Sequence, residues 1–306
     1  MPHPHLFRPL CVAACVLALQ TVATAQTAPA SGNGKLLLTG GVSSIDGAAG
    51  GGLTPWAVIG SYASRGQWGG TAFVTGVKTQ EYQLIDFGVA ASYDERIELS
   101  LARQDFDTGI TGTALGLPGL HLKQNIFGAK LRVAGDAVLD SDNLMPQIAV
   151  GLQYKSLSAG GLAPTLDALG AKDSGTDLYV SATKLFLAQG LLANLTLRAT
   201  KANQNGLLGF GGTDNSSYRL QPEVSLAYLL AKNLAIGAEY RTKPDNLNPS
   251  ALGDGLREDD WKDVFIAWAP NKHLSLTLAY VDLGRIVPAV VPKRQTGAYL
   301  SAQLAF

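Results

Sequence analysis

Over most of the chain, bulky apolar residues fall at every second position, the period at which side chains alternate between the two faces of a β-strand. Leu274, Leu276, Leu278 and Tyr280 alternate with Ser275, Thr277 and Ala279, and Leu234, Ile236, Ala238 and Tyr240 alternate with Ala235, Gly237, Glu239 and Arg241. The same pattern recurs over Val224–Leu230, Leu191–Leu197, Ile148–Tyr154, Phe127–Val133, Ile97–Leu101 and Ile85–Tyr93. One face is greasy throughout. The other mixes glycine and alanine with Lys, Arg, Glu and Gln. A tightly packed soluble barrel fills its interior with branched apolar residues, whereas a lumen holding water tolerates this mixture. The greasy face is therefore expected to meet lipid.

The connections supply a second signal. Long polar or Gly-rich links fall at 107–122, 159–174, 203–215, 245–260 and 285–296, and shorter ones at 94–95, 135–144, 187–189, 231–233 and 270–273. Outer-membrane barrels keep short turns in the periplasm and long loops outside, so the alternation predicts an orientation as well as a fold. Tyr93, Tyr154, Phe186, Tyr228, Tyr240, Trp261, Trp268, Tyr280 and Phe306 lie near predicted strand ends, where headgroup-level belts want amphipathic rings.

Twelve strands are predicted between Gly70 and Phe306. Residues 26–68 form either the first two strands or a luminal plug. Lys35–Ile45 is long enough to span and Trp56–Ala63 nearly is, a spanning strand needing about 9–11 residues. The expectation is thus a transmembrane antiparallel β-barrel of the bacterial outer membrane with 14 strands, the alternative being 12 strands with an N-terminal plug.

The N-terminus agrees with export. Arg8 precedes an apolar run from Leu10 to Leu19, and Ala23-Thr24-Ala25 offers the small-x-small pattern of a signal-peptidase site. Residues 1–25 are predicted to be a signal peptide and 26–306 a single barrel. Val12-Ala13-Ala14-Cys15 is compatible with a lipoprotein site, but the apolar run before Cys15 is too short. Both cysteines, Cys11 and Cys15, fall before residue 26, so no disulfide is expected in the mature protein.

Composition narrows the class further. Charged residues make up 16% of the 306, against about 25% in soluble domains. Lys plus Arg and Asp plus Glu number 24 each, a balance that argues against a nucleic-acid partner. No apolar run after the signal is long enough for a helical span, which needs about 20 residues. A soluble periplasmic β-protein would leave the continuous greasy face unexplained.

The final strand, Thr296 to Phe306, puts Ala298, Leu300, Ala302, Leu304 and Phe306 in one phase. A closing strand with a terminal aromatic resembles the signal that the outer-membrane assembly machinery recognises, so Phe306 is the candidate assembly signal. Expected partners are outer-membrane lipids, that machinery, periplasmic chaperones and small solutes.

Three segments, Gly40 to Gly60, Tyr82-Gln-Leu-Ile-Asp-Phe-Gly88 and Arg103-Gln-Asp-Phe-Asp-Thr-Gly109, resemble a family of uncharacterised proteobacterial proteins catalogued as domain of unknown function 3034. The resemblance covers nearly all of the mature chain. It implies an outer-membrane barrel and brings no substrate or catalytic residue with it.

Candidate chemistry is sparse. Gly47-Ala-Ala-Gly-Gly-Gly52 lacks the Gly-Lys-Ser/Thr ending of a phosphate loop, and no cofactor is expected. His121 lies where Asp105 and Asp107 could approach it, but no nucleophile is evident beside it, and an enzyme is not expected. Asp254, Glu258, Asp259, Asp260 and Asp263 offer oxygen ligands for Ca²⁺ in a spacing that matches no EF-hand; a solvated outer loop is the expected account.

The candidate lumen-lining residues are Glu98, Lys130, Arg132, Lys155, Arg198, Glu223, Glu239 and Arg241. Their mixed signs predict weak ion selectivity. The expected function is passive or weakly selective passage of small solutes. Its rival is a plugged barrel with a structural or surface-interaction role, or a transporter of apolar molecules. Glycines 40, 41, 47 and 50–52 discriminate, depending on whether they lie in the wall or the lumen.

Overall fold

From Trp68 onward the described residues run back and forth as twelve antiparallel strands, each hydrogen-bonded to its neighbours in sequence, and the last closes on the first. The structure is a computed structural model describing residues 35, 37–38, 40–138, 144–248 and 253–306; the predicted signal peptide, residues 1–25, lies outside the described residues. The wall consists of β3 (Trp68–Thr79), β4 (Gln83–Tyr93), β5 (Ile97–Asp107), β6 (His121–Ala134), β7 (Gln147–Ser158), β8 (Ser174–Phe186), β9 (Leu191–Thr200), β10 (Arg219–Ala231), β11 (Leu234–Arg241), β12 (Trp261–Asn271), β13 (Leu274–Asp282) and β14 (Thr296–Ala305). Two shorter strands, β1 (Val42–Ser43) and β2 (Ala49–Gly50), pair with each other, and Gly50 also bridges Pro55.

Closure runs from Gly297 opposite Thr79 to Ala305 opposite Thr71. Beyond it Phe306 N donates to Gly70 O at 2.9 Å, and Gly70 N donates to Phe306 O at 3.1 Å. The terminal residue thus completes the seam, with its ring against His273 at 5.4 Å. A closed seam matters because an unpaired edge cannot be satisfied in hydrocarbon.

The alternation sets the two faces. Leu99, Leu101 and Leu278 are 48%, 56% and 56% exposed, while the inward Gln104, Gln124 and Gln153 are 0% exposed. An apolar band around a closed barrel is an aggregation hazard in water and the requirement for standing in a bilayer. The chain is an outer-membrane β-barrel. Among the described residues no helix is long and apolar enough to cross a membrane.

Trp68 and Tyr93 pack at 4.8 Å at the short-turn end, and exposed Phe186, Tyr228 and Trp268 share that level. Exposed Tyr154, Tyr240 and Tyr280 stand towards the long loops. Trp261 departs from the expected belt: it is buried, facing inward with the Arg241 guanidinium over its ring at 5.7 Å.

The expected 14-strand barrel is corrected to twelve strands with the N-terminal segment inside. Among the described residues, Lys35–Ile45 and Trp56–Ala63 supply no wall strand; within these two segments only Val42 and Ser43 pair, with Gly50 and Ala49. Gly41 and Gly47 take φ of +72° and +84° and Ser61 takes +74°, folding the chain back on itself where a spanning strand must stay extended. With β14 already paired to β3, no position in the wall remains for it. Residues 42–60 are instead buried within the barrel, with Ile45, Leu53, Trp56, Val58 and Ile59 forming the plug's apolar body.

Candidate functional site

Asp46 stands at the turn between β1 and β2, the tip of the plug, and is fully buried. Three cations from alternate strands of the wall converge on it. Arg241 Nη1 donates to its Oδ2 at 2.8 Å, Lys155 Nζ lies 2.9 Å from Oδ1, and Arg198 Nη2 lies 3.6 Å from Oδ2. Burial alone would raise the Asp46 pKa; Arg241, Lys155 and Arg198 outweigh it and hold the carboxyl well below the usual carboxylate range.

The wall supplies two further anions at this level. Glu223 accepts from Arg198 Nε at 2.6 Å and lies 3.3 Å from Arg241 Nε, and Asp177 lies 3.0 Å from Lys155. Three cations therefore face two wall carboxylates, and the plug's Asp46 is the third anion that balances them. Gln153 accepts from Arg198 Nη1 at 2.6 Å.

Beyond its own short internal pairings, the plug's backbone has no wall strand beside it and is met by side chains of the wall. Lys130 Nζ donates to Ala49 O at 2.7 Å and Val58 O at 2.9 Å. Its ion-pair partner Glu98, 3.2 Å away, accepts from Ala49 N at 2.9 Å and Gly60 N at 2.7 Å. Glu239 accepts from Leu53 N at 2.7 Å and Thr54 Oγ1 at 2.6 Å. Pro55 O accepts from Thr196 at 2.7 Å, and Gln147 Nε2 donates to Ala57 O at 2.7 Å. Gly51 must be glycine for this approach, since a Cβ there would stand 2.1 Å from Glu239 Oε1.

The segment enters from the short-turn end. Lys35 Nζ donates to Ile59 O at 2.6 Å and lies 3.7 Å from Glu95 in the β4–β5 turn. Arg132 belongs to this rim: it donates to Gly135 O at 3.0 Å and pairs with Asp136 at 3.2 Å and Glu95 at 3.6 Å. From the other end the β9–β10 loop folds inward as a hook, with Gln204 and Asn205 at φ of +44° and +60°. Asn205 reaches the plug tip, donating to Asp46 Oδ1 at 2.8 Å and accepting from Lys155 at 2.6 Å and Arg241 Nη2 at 2.7 Å.

The expected water-holding lumen is thus filled. A crevice between the plug and the wall near Trp56 and Phe265 holds about 30 Å³, room for two or three waters at about 10–15 Å³ each. The polar inner face that reads as a wet passage is the hydrogen-bonding complement of a peptide segment.

Behind the hook, in the outer loops, Lys243 and Glu258 form a buried pair at 3.3 Å. Glu258 accepts from Gln204 N at 2.7 Å, and Lys243 donates to Gln204 Oε1 at 2.7 Å. Burial raises the Glu258 pKa to about 7, although Lys243 opposes it. A carboxyl whose folded pKa lies above its unfolded value binds the extra proton in the folded state, so its contribution falls as pH rises from the ordinary carboxylate range to about 7. Protease cleavage in the 242–260 loop is expected to quicken over that interval. Glu258→Gln, neutral at every pH, should remove this dependence; an unchanged pH profile in that variant would refute the assignment.

The other candidates resolve simply. His121 bonds Asp105 at 2.5 Å on the outward face, with Lys123 3.8 Å from the same carboxylate. Asp259 pairs with Arg285 at 2.8 Å and Arg294 at 3.5 Å, Asp260 accepts from Tyr240, and Asp263 points inward and is buried. Among the described residues no group of three or more His, Cys, Asp or Glu is placed to hold a metal ion.

Three residues of the site escape the sequence reading: Asp46, Asp177 and Asn205. Asp177 sits in phase with the inward Tyr179, Ser181 and Thr183 of β8, a period-two signal open to reading. Asn205 in its left-handed hook has no comparable signature.

Residues 39–303 match the model of a family described as protein of unknown function, DUF3034. No curated protein matches the chain. Among solved structures it is similar to the KdgM porin in complex with disordered oligogalacturonate, at 12% identity over 77% of this chain and 99% of that one, with a TM-score of 0.49. The NanC porin follows at 7%, 76%, 98% and 0.49. The COG4313 outer membrane channel from Pseudomonas putida F1 gives 12%, 80%, 97% and 0.47. None of these likenesses is close enough to bring a solute or a mechanism to this chain.

Proposed function

The chain belongs to the DUF3034 family, and from the geometry of its lumen we propose that it works as a gated outer-membrane channel, shut at rest by its own N-terminal segment. The carrying observation is the charge count around Asp46, where Lys155, Arg198 and Arg241 meet only Glu223 and Asp177 until the plug arrives. Buried charge is costly without a partner, so a cluster in which three wall cations are ion-paired with only two wall carboxylates is a receptor for the plug's carboxylate. Free diffusion through a permanently open lumen has no support in a passage whose crevice beside the plug is about 30 Å³. Passage requires the segment to leave or rearrange, and its attachment by side-chain hydrogen bonds, with no wall strand to unzip, suits that role.

Steady current in planar bilayers tests the proposal. The full mature chain is expected to be silent, and a chain lacking residues 26–63 to conduct. Steady current through the intact chain would overturn the reading, because a plug held as described leaves ions no continuous path.

A further inference from the structure

The long loops fold over the mouth of the barrel and enclose a second void, separate from the plug. It has a volume of about 100 Å³, and each of the five long loops contributes to it: Leu115, Leu166, Leu208, Leu256 and Val287 come from successive loops, and Phe106 rises from the wall. Three of the four hydroxyls at its margin are engaged, and the fourth belongs to the exposed Thr165. Tyr82 and Thr111 bond each other at 2.6 Å, and Thr108 Oγ1 donates to Leu120 O at 2.7 Å. Water in such a place would find few partners, and apolar cavities of this kind stay dry.

Protein interiors seldom leave voids larger than a water. A void bounded by five loops at the outer mouth of a barrel is well placed to admit a molecule. The geometry points to a binding site for an uncharged, single-ring aromatic molecule. Size and shape both favour that occupant. An apolar cavity of about 150 Å³ accepts benzene; at about 100 Å³ this one sets a single ring as its upper limit and excludes fused rings. Tyr82 and Phe106, stacked at 5.5 Å and 19°, form an aromatic wall for it to pack against.

The position also bears on the plug. Ile286, beside Val287 at the cavity's edge, accepts from Gln204 Nε2 at 3.1 Å, and Gln204 adjoins the Asn205 that holds Asp46. That such a molecule is what the mouth admits rests on the gated reading proposed above. Its binding in the cavity does not.

Fluorine NMR of fluorobenzene with the full mature chain in lipid nanodiscs, empty nanodiscs as blank, tests the site. A saturable bound resonance above the blank is expected, absent for 4-fluorobenzoate, whose carboxylate cannot be buried there. Leu166→Trp and Leu208→Trp, each filling the cavity, should abolish it. Val287→Ala, which enlarges the void, should retain it and extend binding to 2-fluoronaphthalene. No saturable signal from the intact chain would overturn the site, as would equal signals from folded Trp variants or from fluorobenzoate. Because binding is read without current, a conducting intact chain that still binds fluorobenzene would sink the plug and leave this site standing.

Discussion

Asp46→Asn is expected to raise the undocked population of the plug by roughly 10²- to 4 × 10³-fold, the cost of breaking a buried ion pair being about 3–5 kcal/mol and each power of ten about 1.4 kcal/mol. Asparagine keeps the shape of the side chain and can still meet Asn205. What disappears is the charge, which leaves Lys155, Arg198 and Arg241 in a buried cage with Asp177 and Glu223 alone. The relevant comparison is between that cage, dry and one charge out of balance, and the same cage opened to water. Undocking hydrates the cations, so the substitution favours the open state.

The readout is a cysteine at Ser181, whose hydroxyl is fully buried and donates to Pro55 O of the plug at 3.3 Å. A small water-soluble thiol reagent reaches it only when the segment lifts, and its rate then follows the open population. Asp259→Asn in the same background removes a carboxylate from the outer loop, where Arg285 and Arg294 hold it, and should leave the rate at Ser181→Cys unchanged. Equal rates for the two variants would show that Asp46 does not hold the plug.

The strands were legible because their rule is local. Lipid demands bulk on one face, so Leu99, Leu101 and Tyr240 set the phase of their strands without knowledge of anything distant. The phase of Glu98, Lys130 and Arg241 follows from those neighbours; what they bond does not. Asp46 and Arg241 are 195 positions apart, and a contact of that range leaves no period in either segment. The composition of the inner face misleads for a physical reason. Gln147, Thr196 and Lys130 present the same donors whether they meet water or the carbonyls of Ala57, Pro55 and Val58. Length misleads too: Lys35–Ile45 could span a bilayer, but spanning also needs an open seam, and the pairing of β14 with β3 closes it. Trp261 shows that an aromatic near a strand end is a belt residue only if its phase is outward.

Tethering the plug should give the largest effect of all, because it converts an equilibrium into a covalent lock. Cys11 and Cys15 both precede residue 26, so a chain beginning at Gln26 carries no competing thiol. Thr54 Oγ1 and Ser225 Oγ meet at 2.5 Å, one from the plug and the other from β10. Thr54→Cys with Ser225→Cys puts sulfurs where the two hydroxyls touch, close enough for a bond of about 2.0 Å with little backbone movement. Thr54 Oγ1 also donates to Glu239 at 2.6 Å, and Ser225 Oγ accepts from Trp56 Nε1 at 3.0 Å, so the reduced form loses two plug contacts. It should therefore dock more loosely than the native protein. Combined with Asp46→Asn, the oxidised chain is expected to stay silent in a bilayer and to protect the inner wall from labelling. Addition of reductant should release both together. Conduction by the oxidised, fully crosslinked chain would mean that ions pass beside the plug, and the gate would then have to be sought in the outer loops instead.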